Sequence, residues 1–223
     1  MLQLMHTQSI SITVSPSIGS VSAECIIPEN STCLMSLAHG AGAGMNHPFI
    51  ATLAQLLGEL GIATLRFNFP FTEHKKARPD VPAVAHKTIE AVINKAQELF
   101  PSLPLFVSGK SFGGRMSSQY LALHPEVKVK GIVFFGFPLH AIGKPSVDRA
   151  DHLKEIKMPM LFLQGTRDEL ATWALIESVC ASLPLATLVK LEGANHAFKA
   201  KKEDNLLVLA RATQAWLERI INT

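Results

Sequence analysis

The chain has 223 residues, 48% of them hydrophobic, and a formal net charge of +3. That size and apolar content suit one α/β domain spanning 1–223 around a single core and are too small for two comfortable domains. The basic residues are scattered (Lys75, Lys76 and Arg78; Lys128 and Lys130; Lys199, Lys201 and Lys202), which speaks for solvated faces and against nucleic-acid binding.

The N-terminal octapeptide Met-Leu-Gln-Leu-Met-His-Thr-Gln has no basic stretch followed by an apolar core, so no secretory leader is expected. No apolar run approaches the ~18 residues of a membrane span, and a cytoplasmic protein without membrane attachment is the expectation. Residues 9–14 and 21–27 carry β-branched, alternating patterns around a Pro/Ser/Gly turn and predict a hairpin. A short buried strand at 33–38 leads into His39-Gly-Ala-Gly-Ala-Gly44, and a helix over 48–60 is stopped by Gly61. Next come a strand at 63–69, a polar loop at 71–82 and a helix at 84–99 that ends before Pro101. A strand at 105–108 feeds Gly109-Lys-Ser111-Phe-Gly113, and a helix follows over 112–123. The second half repeats the alternation. It has strands at 131–135, 160–164 and 187–191 and helices at 170–183 and 205–221, with an irregular connection at 137–157 holding a short helix near 150–156. Such alternation predicts a mostly parallel sheet with helices on both faces and a ligand site at the C-terminal strand ends. The three cysteines, Cys25, Cys33 and Cys180, are odd in number and lack zinc-like spacing, so neither a disulfide framework nor a metal site is expected.

Gly109-x-Ser111-x-Gly113 between a strand and a helix is a nucleophile-elbow pattern. The turn demands glycines for close approach and puts the serine hydroxyl at a helix N-terminus, where negative charge is favoured. A serine needs a base, and the base needs an acidic orienter. Asp168 follows the strand at 160–164 and His196 follows the strand ending at 191, in the chain order Ser, Asp, His. Glu169, next to Asp168, is the nearest competitor for the acid; Asp148 and Asp151 lie in the earlier connection. The expected oxyanion donors are the backbone N–H of Phe112, after the nucleophile, and that of Ala41, with Gly42 beside it. Two nucleotide motifs fail. A P-loop ending in Gly109-Lys110-Ser111 needs glycine at 104, which is Pro104; a dinucleotide fingerprint on the 40–44 run needs one where Met45 or His47 stands.

These pieces together resemble the α/β-hydrolase superfamily, and most of all its small, lid-poor, dienelactone-hydrolase-like branch of predicted hydrolases. The resemblance rests on Leu37-Ala-His-Gly-Ala-Gly-Ala-Gly-Met-Asn-His-Pro48, Leu65-Arg-Phe-Asn-Phe-Pro-Phe71, Gly109-Lys-Ser-Phe-Gly-Gly-Arg115, Phe137-Pro-Leu-His140, Gln164-Gly-Thr-Arg-Asp168 and Asn195-His196. It implies an eight-stranded sheet with strand two antiparallel and a minimal cap. It also implies Ser111 as nucleophile, Asp168 as orienter and His196 as base. A serine stands where dienelactone hydrolases have cysteine, so their particular substrate is not carried over.

The expected activity is that of a serine hydrolase on an ester or thioester of a small molecule, with no metal or organic cofactor, in a monomer or small homo-oligomer. Met45, His47, Phe71, Lys110 and His140 are candidate substrate-lining residues; Lys110 either greets an anionic group or pairs with a nearby acid. Arg66 and Arg115 are read as structural, with Glu73 or Asp80 as partners. The competing reading is a non-catalytic protein-interaction module that retains the hydrolase fold.

Overall fold

The opening hairpin is longer than its alternation predicts. In the computed structural model, which describes residues 4–200 and 205–222, β1 runs over Met5–Ser15 and β2 over Gly19–Pro28. Gly19, at φ +87°, closes the turn. β1 forms one edge of the sheet and buries Ile12 while its polar side chains face out. Lys201 and Lys202, read above with the scattered basic residues, lie outside the described residues, as do the first three residues of the octapeptide.

Six further strands follow: β3 (Cys33–Ala38), β4 (Ile62–Phe67), β5 (Leu105–Lys110), β6 (Ile132–Phe135), β7 (Met160–Gly165) and β8 (Ala186–Leu191). The sheet order is β1-β2-β4-β3-β5-β6-β7-β8; β2 pairs antiparallel with β4, and β3 to β8 are mutually parallel. This is the α/β-hydrolase arrangement that the resemblance implied. β3, β6 and β7 are buried at every residue, which is why they read as unbroken apolar runs. Helices α3 (Pro82–Leu99), α4 (Phe112–Leu123) and α5 (Trp173–Ala181) pack on one face, and α1 (Pro48–Glu59) and α6 (Asn205–Ile221) on the other. Among the described residues, no helix is long and apolar enough to cross a membrane.

Where element boundaries moved, side chains have captured backbone amides. The predicted strand at 63–69 stops at Phe67 because the Phe69 N–H turns to donate to His39 Nε2 at 3.0 Å. Pro70 then opens a one-turn helix, α2 (Pro70–Glu73), inside the predicted polar loop. The helix predicted from 170 starts only at Trp173. The Leu170 N–H is taken by Asp168 Oδ1 (2.8 Å) and the Thr172 N–H by His140 Nε2 (2.9 Å). The connection from β6 to β7 is short and carries a 3-10 helix over Asp148–Glu155. The C-terminal strand ends therefore stay open.

Candidate active site

β5 ends at Lys110, α4 begins at Phe112, and Ser111 alone spans the turn. Its backbone sits at φ +51°, ψ −113°, a conformation that costs a non-glycine residue about 1–3 kcal/mol. Glycine is compulsory beside it. A Cβ on Gly109 would stand 2.3 Å from the Gly114 nitrogen, and one on Gly113 would stand 2.6 Å from the Ala38 and His39 carbonyl oxygens. Being the first helical residue, Phe112 has an N–H with no acceptor inside α4. Its ring is buried edge-on against Phe69 and Phe71.

The Asp168 loop follows β7 and the His196 loop follows β8. Gly165 lets the two touch, since a Cβ there would lie 2.2 Å from the Ala194 carbonyl oxygen. Asp168 is buried. Its Oδ2 accepts from Gln164 Nε2 at 2.6 Å and lies 2.8 Å from His196 Nδ1, while Oδ1 accepts the Leu170 N–H. An ionised carboxylate only accepts, so Nδ1 carries the imidazole proton and Nε2 is left as an acceptor. That Nε2 lies 2.9 Å from Ser111 Oγ. Glu169 is exposed and Asp148 and Asp151 stand in the 3-10 helix; none of the three takes the place of Asp168. The His196 loop is tied internally: Asn195 Oδ1 accepts the Ala197 and Lys199 N–H groups, and Asn205 Nδ2 donates to the Phe198 carbonyl.

On the other side of Ser111, Gly40 packs against the elbow; a Cβ on it would meet Ser111 Cβ at 3.8 Å. Ala41 and Gly42 are exposed at the rim. Beneath them His39 is wholly buried. Its Nδ1 donates to the Gly40 carbonyl at 2.8 Å and its Nε2 accepts from Phe69. Burial pushes its pKa down to about 4, so the ring is neutral and fixed in one tautomer.

A cavity of about 810 Å³ opens on Ser111 and His196. It runs between the start of α1 and the segment after His196, walled by Pro48, Phe49, Ile50, Phe198, Ala200 and Leu206, with Ala41 to Ala43 at its mouth. Of the five expected lining residues, His47 and Lys110 reach it. The other three do not. Met45 is buried, with its N–H donated to Asn68 and its carbonyl accepting from Arg66. Phe71 packs under the glycine loop against His39 and Phe112 and borders a separate depression behind residues 41–44. His140 turns inward, where Nδ1 donates to the Ala141 carbonyl and Nε2 serves Thr172.

The arginine partners also differ from expectation. Arg66 pairs with Glu24 (Nε to Oε1, 3.1 Å), its neighbour across the β2–β4 pair. Glu73 instead accepts from the Ser22 N–H and Asn68, and Asp80 accepts from the Phe71 N–H. Arg115 is half-buried beside Arg149; burial first and that charge second lower its pKa. Lys110 forms no ion pair among the described residues and donates instead to the His196 carbonyl oxygen at 2.6 Å. Two contributors had no role in the sequence reading: Gln164, which stood in a motif without a task, and His39, which stood only at the head of the glycine run. No group of three or more His, Cys, Asp or Glu among the described residues is placed to hold a metal.

A family model described as alpha/beta hydrolase domain matches residues 31–220. The chain is 27% identical over 184 residues to a Mycobacterium tuberculosis (strain H37Rv) protein whose name offers phosphoribosyl transferase as a candidate activity. That match covers 80% of this chain and 40% of the relative, so the chain spans about two fifths of that protein's length. The structure resembles the dienelactone hydrolase of Anabaena variabilis with a TM-score of 0.75 at 21% identity, covering 96% of this chain and 98% of the other. It also resembles XC6422 of Xanthomonas campestris, described as a member of a/b serine hydrolase without lid, with a TM-score of 0.74 at 20% identity over 98% and 97% of the two chains.

Proposed function

The chain belongs to the alpha/beta hydrolase domain family, and from that premise we propose that it is a serine hydrolase cleaving an ester or thioester through an acyl-enzyme. One observation carries the reading. Asp168, His196 and Ser111, from three separate loops, form a continuous line of contacts at 2.8 and 2.9 Å. Structural need does not account for the strained Ser111 backbone at the head of that line, and such strain is characteristic of functional sites.

In this mechanism Ser111 Oγ attacks the carbonyl carbon while His196 Nε2 takes the hydroxyl proton. Asp168 holds the Nδ1–H and stabilises the imidazolium. The Phe112 and Ala41 N–H groups, with Gly42 adjacent, receive the oxyanion. The bond to the leaving alcohol or thiol then breaks, and the imidazolium hands its proton to the departing atom. Water, deprotonated by the same imidazole, attacks the acyl-serine and releases the acid. The largely apolar walls of the cavity favour an apolar substituent on the substrate.

The transferase named for the M. tuberculosis relative is not carried over, because the match covers 40% of that protein. A purely scaffolding role has no use for a preset Ser–His–Asp line. The test is intact-mass analysis after incubation with a fluorophosphonate, comparing wild type with Ser111→Ala. A single adduct on the wild type alone supports the proposal. A folded wild type that takes no adduct favours the scaffold.

A further inference from the structure

Lys110 stands immediately before Ser111, and its side chain turns beneath the loop that carries His196. Its Nζ donates to the His196 backbone carbonyl at 2.6 Å. The ammonium lies 5.0 Å from the centre of the Phe198 ring and 5.7 Å from that of Phe49. These two rings are themselves stacked at 5.8 Å. On its remaining side, a Cβ on Gly136 would sit 3.1 Å from Nζ and 3.5 Å from the imidazole of His196, so glycine leaves the lysine its passage. Asp168 and Glu169 act on it only as a field, and burial prevails, pushing its pKa down to about 8.

This is an expensive way to fill space. An ammonium taken from water without a bonded carboxylate loses hydration that two aromatic faces and one carbonyl replace in part. A methionine in the same slot would pack against both rings at no such cost. What the lysine alone supplies is a link. The His196 loop arrives from β8, three strands away from β5. Its other backbone ties run to itself, to the loop after β7 and to the start of α6: Phe198 N–H to Asn195, Arg167 N–H to Ala194, and Asn205 Nδ2 to the Phe198 carbonyl. Besides the Ser111–His196 contact, the Lys110 bond joins the nucleophile's strand directly to the backbone of the base.

We propose that Lys110 is a positioning residue, which sets the Ser111–His196 distance by fixing the backbone of His196 to the elbow. The inference rests on the serine-hydrolase reading. Asp168 orients the ring from its Nδ1 end; Lys110 fixes the backbone that the ring hangs from. Losing either alone lets Nε2 drift from Oγ, and a displacement of ~1 Å can cost on the order of 100-fold in rate.

The test compares wild type, Lys110→Met and Lys110→Arg in three measurements: thermal midpoint, the rate of fluorophosphonate addition to Ser111, and kcat and KM on p-nitrophenyl acetate. Lys110→Met is expected to melt no lower than wild type, yet to react at Ser111 on the order of 10- to 100-fold more slowly, with the loss in kcat rather than KM. Lys110→Arg, which keeps a charged donor for the same carbonyl, is expected to recover most of that rate. A space-filling role predicts an unchanged or higher melting point together with a normal rate per folded molecule, so the rate is the measurement that separates the two. Folded Lys110→Met reacting at the wild-type rate overturns the proposal and leaves the serine-hydrolase reading intact. If Lys110→Met does not fold, a folded Lys110→Arg that stays slow overturns it equally, and one that reacts normally supports it. A folded wild type that takes no adduct overturns both.

Discussion

The two sides of Ser111 are built by opposite means. On the His196 side, side chains hold nearly everything: Gln164 and the Leu170 N–H on Asp168, Asn195 and Asn205 on the loop, and Lys110 on the His196 carbonyl. On the glycine side the groups proposed to act are main-chain N–H donors, and a few side chains hold them from below. His39, Asn68 and Thr72 anchor residues 39–45 from below, while Ala41 and Gly42 stand exposed above them. The half proposed to act as acid and base is thus fixed by many weak locks. The half proposed to receive the oxyanion is fixed by few, and its donors are main-chain groups that no substitution except proline removes. Substitutions on the first side should therefore range from severe to slight according to which lock is lost, whereas on the second only a change that removes a main-chain N–H should tell.

The largest effect lies at the best-bonded atom. Asp168→Asn preserves shape but presents an amide N–H to His196 Nδ1, which favours the wrong tautomer and leaves Nε2 protonated. A loss of kcat on the order of 10,000-fold is expected with little change in thermal midpoint, read by ester turnover at pH 7. Normal turnover would remove Asp168 from the mechanism. Next is Ala41→Pro, which deletes a single N–H at an exposed position. Loss of one oxyanion donor costs ~3 kcal/mol, on the order of 100-fold or more in kcat, with KM nearly unchanged. A loss no larger than that of a neighbouring surface change would place the second donor elsewhere. Gln164→Leu sits lower on the acid–base side. It removes one of the two contacts on Asp168 Oδ2, leaving that oxygen to His196 alone, and leaves the Phe137 N–H unsatisfied, while Leu170 still holds Oδ1. A fall in kcat of roughly 10-fold, together with lower stability, is expected because a buried donor loses its partner.

The elbow was legible in the sequence because its glycines recur at a fixed spacing in a strand-turn-helix pattern. Gly109 is dictated by the backbone of its own turn, and Gly113 by the carbonyls of Ala38 and His39 at the end of the neighbouring β3. Asp168 and His196 were legible from topology, since both follow parallel strands and all such strands end on the same side. The roles of Lys110, Gln164 and His39 were not. Lys110 and His39 bond to positions 86 and 30 residues away, and Gln164, though only four positions from Asp168, is set in place by the Phe137 N–H 27 residues away; no periodicity records such pairs. Met45, Phe71 and His140 show the converse error. Each stands just beyond a strand end, but strand order says nothing of which way a side chain turns, and all three turn into the protein.

The glycine side has an acid-sensitive anchor. His39 has its pKa lowered from 6.5 to about 4 by burial. The unfolded chain therefore binds that proton first. The stability His39 contributes is complete above pH 6.5 and drains away as pH falls toward 4, by on the order of 3 kcal/mol. His152, likewise lowered to about 4 chiefly by burial, slopes in the same direction, so wild type alone does not separate them. His39→Asn does. Melting curves from pH 7 to pH 4 should show the variant less stable at pH 7 but with a shallower decline. Equal slopes would mean that His39 is not held neutral.

The smallest effect per step joins the two sides, because the cavity takes its mouth from the glycine loop and its far wall from the base loop. A methylene moved from water onto such walls is worth ~0.8 kcal/mol, about fourfold in kcat/KM. Two ester series separate the sides, one lengthening the acyl chain on a fixed alcohol, the other lengthening the alcohol on acetate. The series whose chain enters the cavity should climb about fourfold per carbon and then break, while the other stays flat. Thr52, exposed on α1 and lining the cavity, offers a plug. Thr52→Trp should move the break to a shorter chain and leave acetate turnover unchanged, because the triad is untouched. If both series are flat, the cavity does not bind the substrate, and the reacting bond is reached from the open rim beside Ala41 and Gly42.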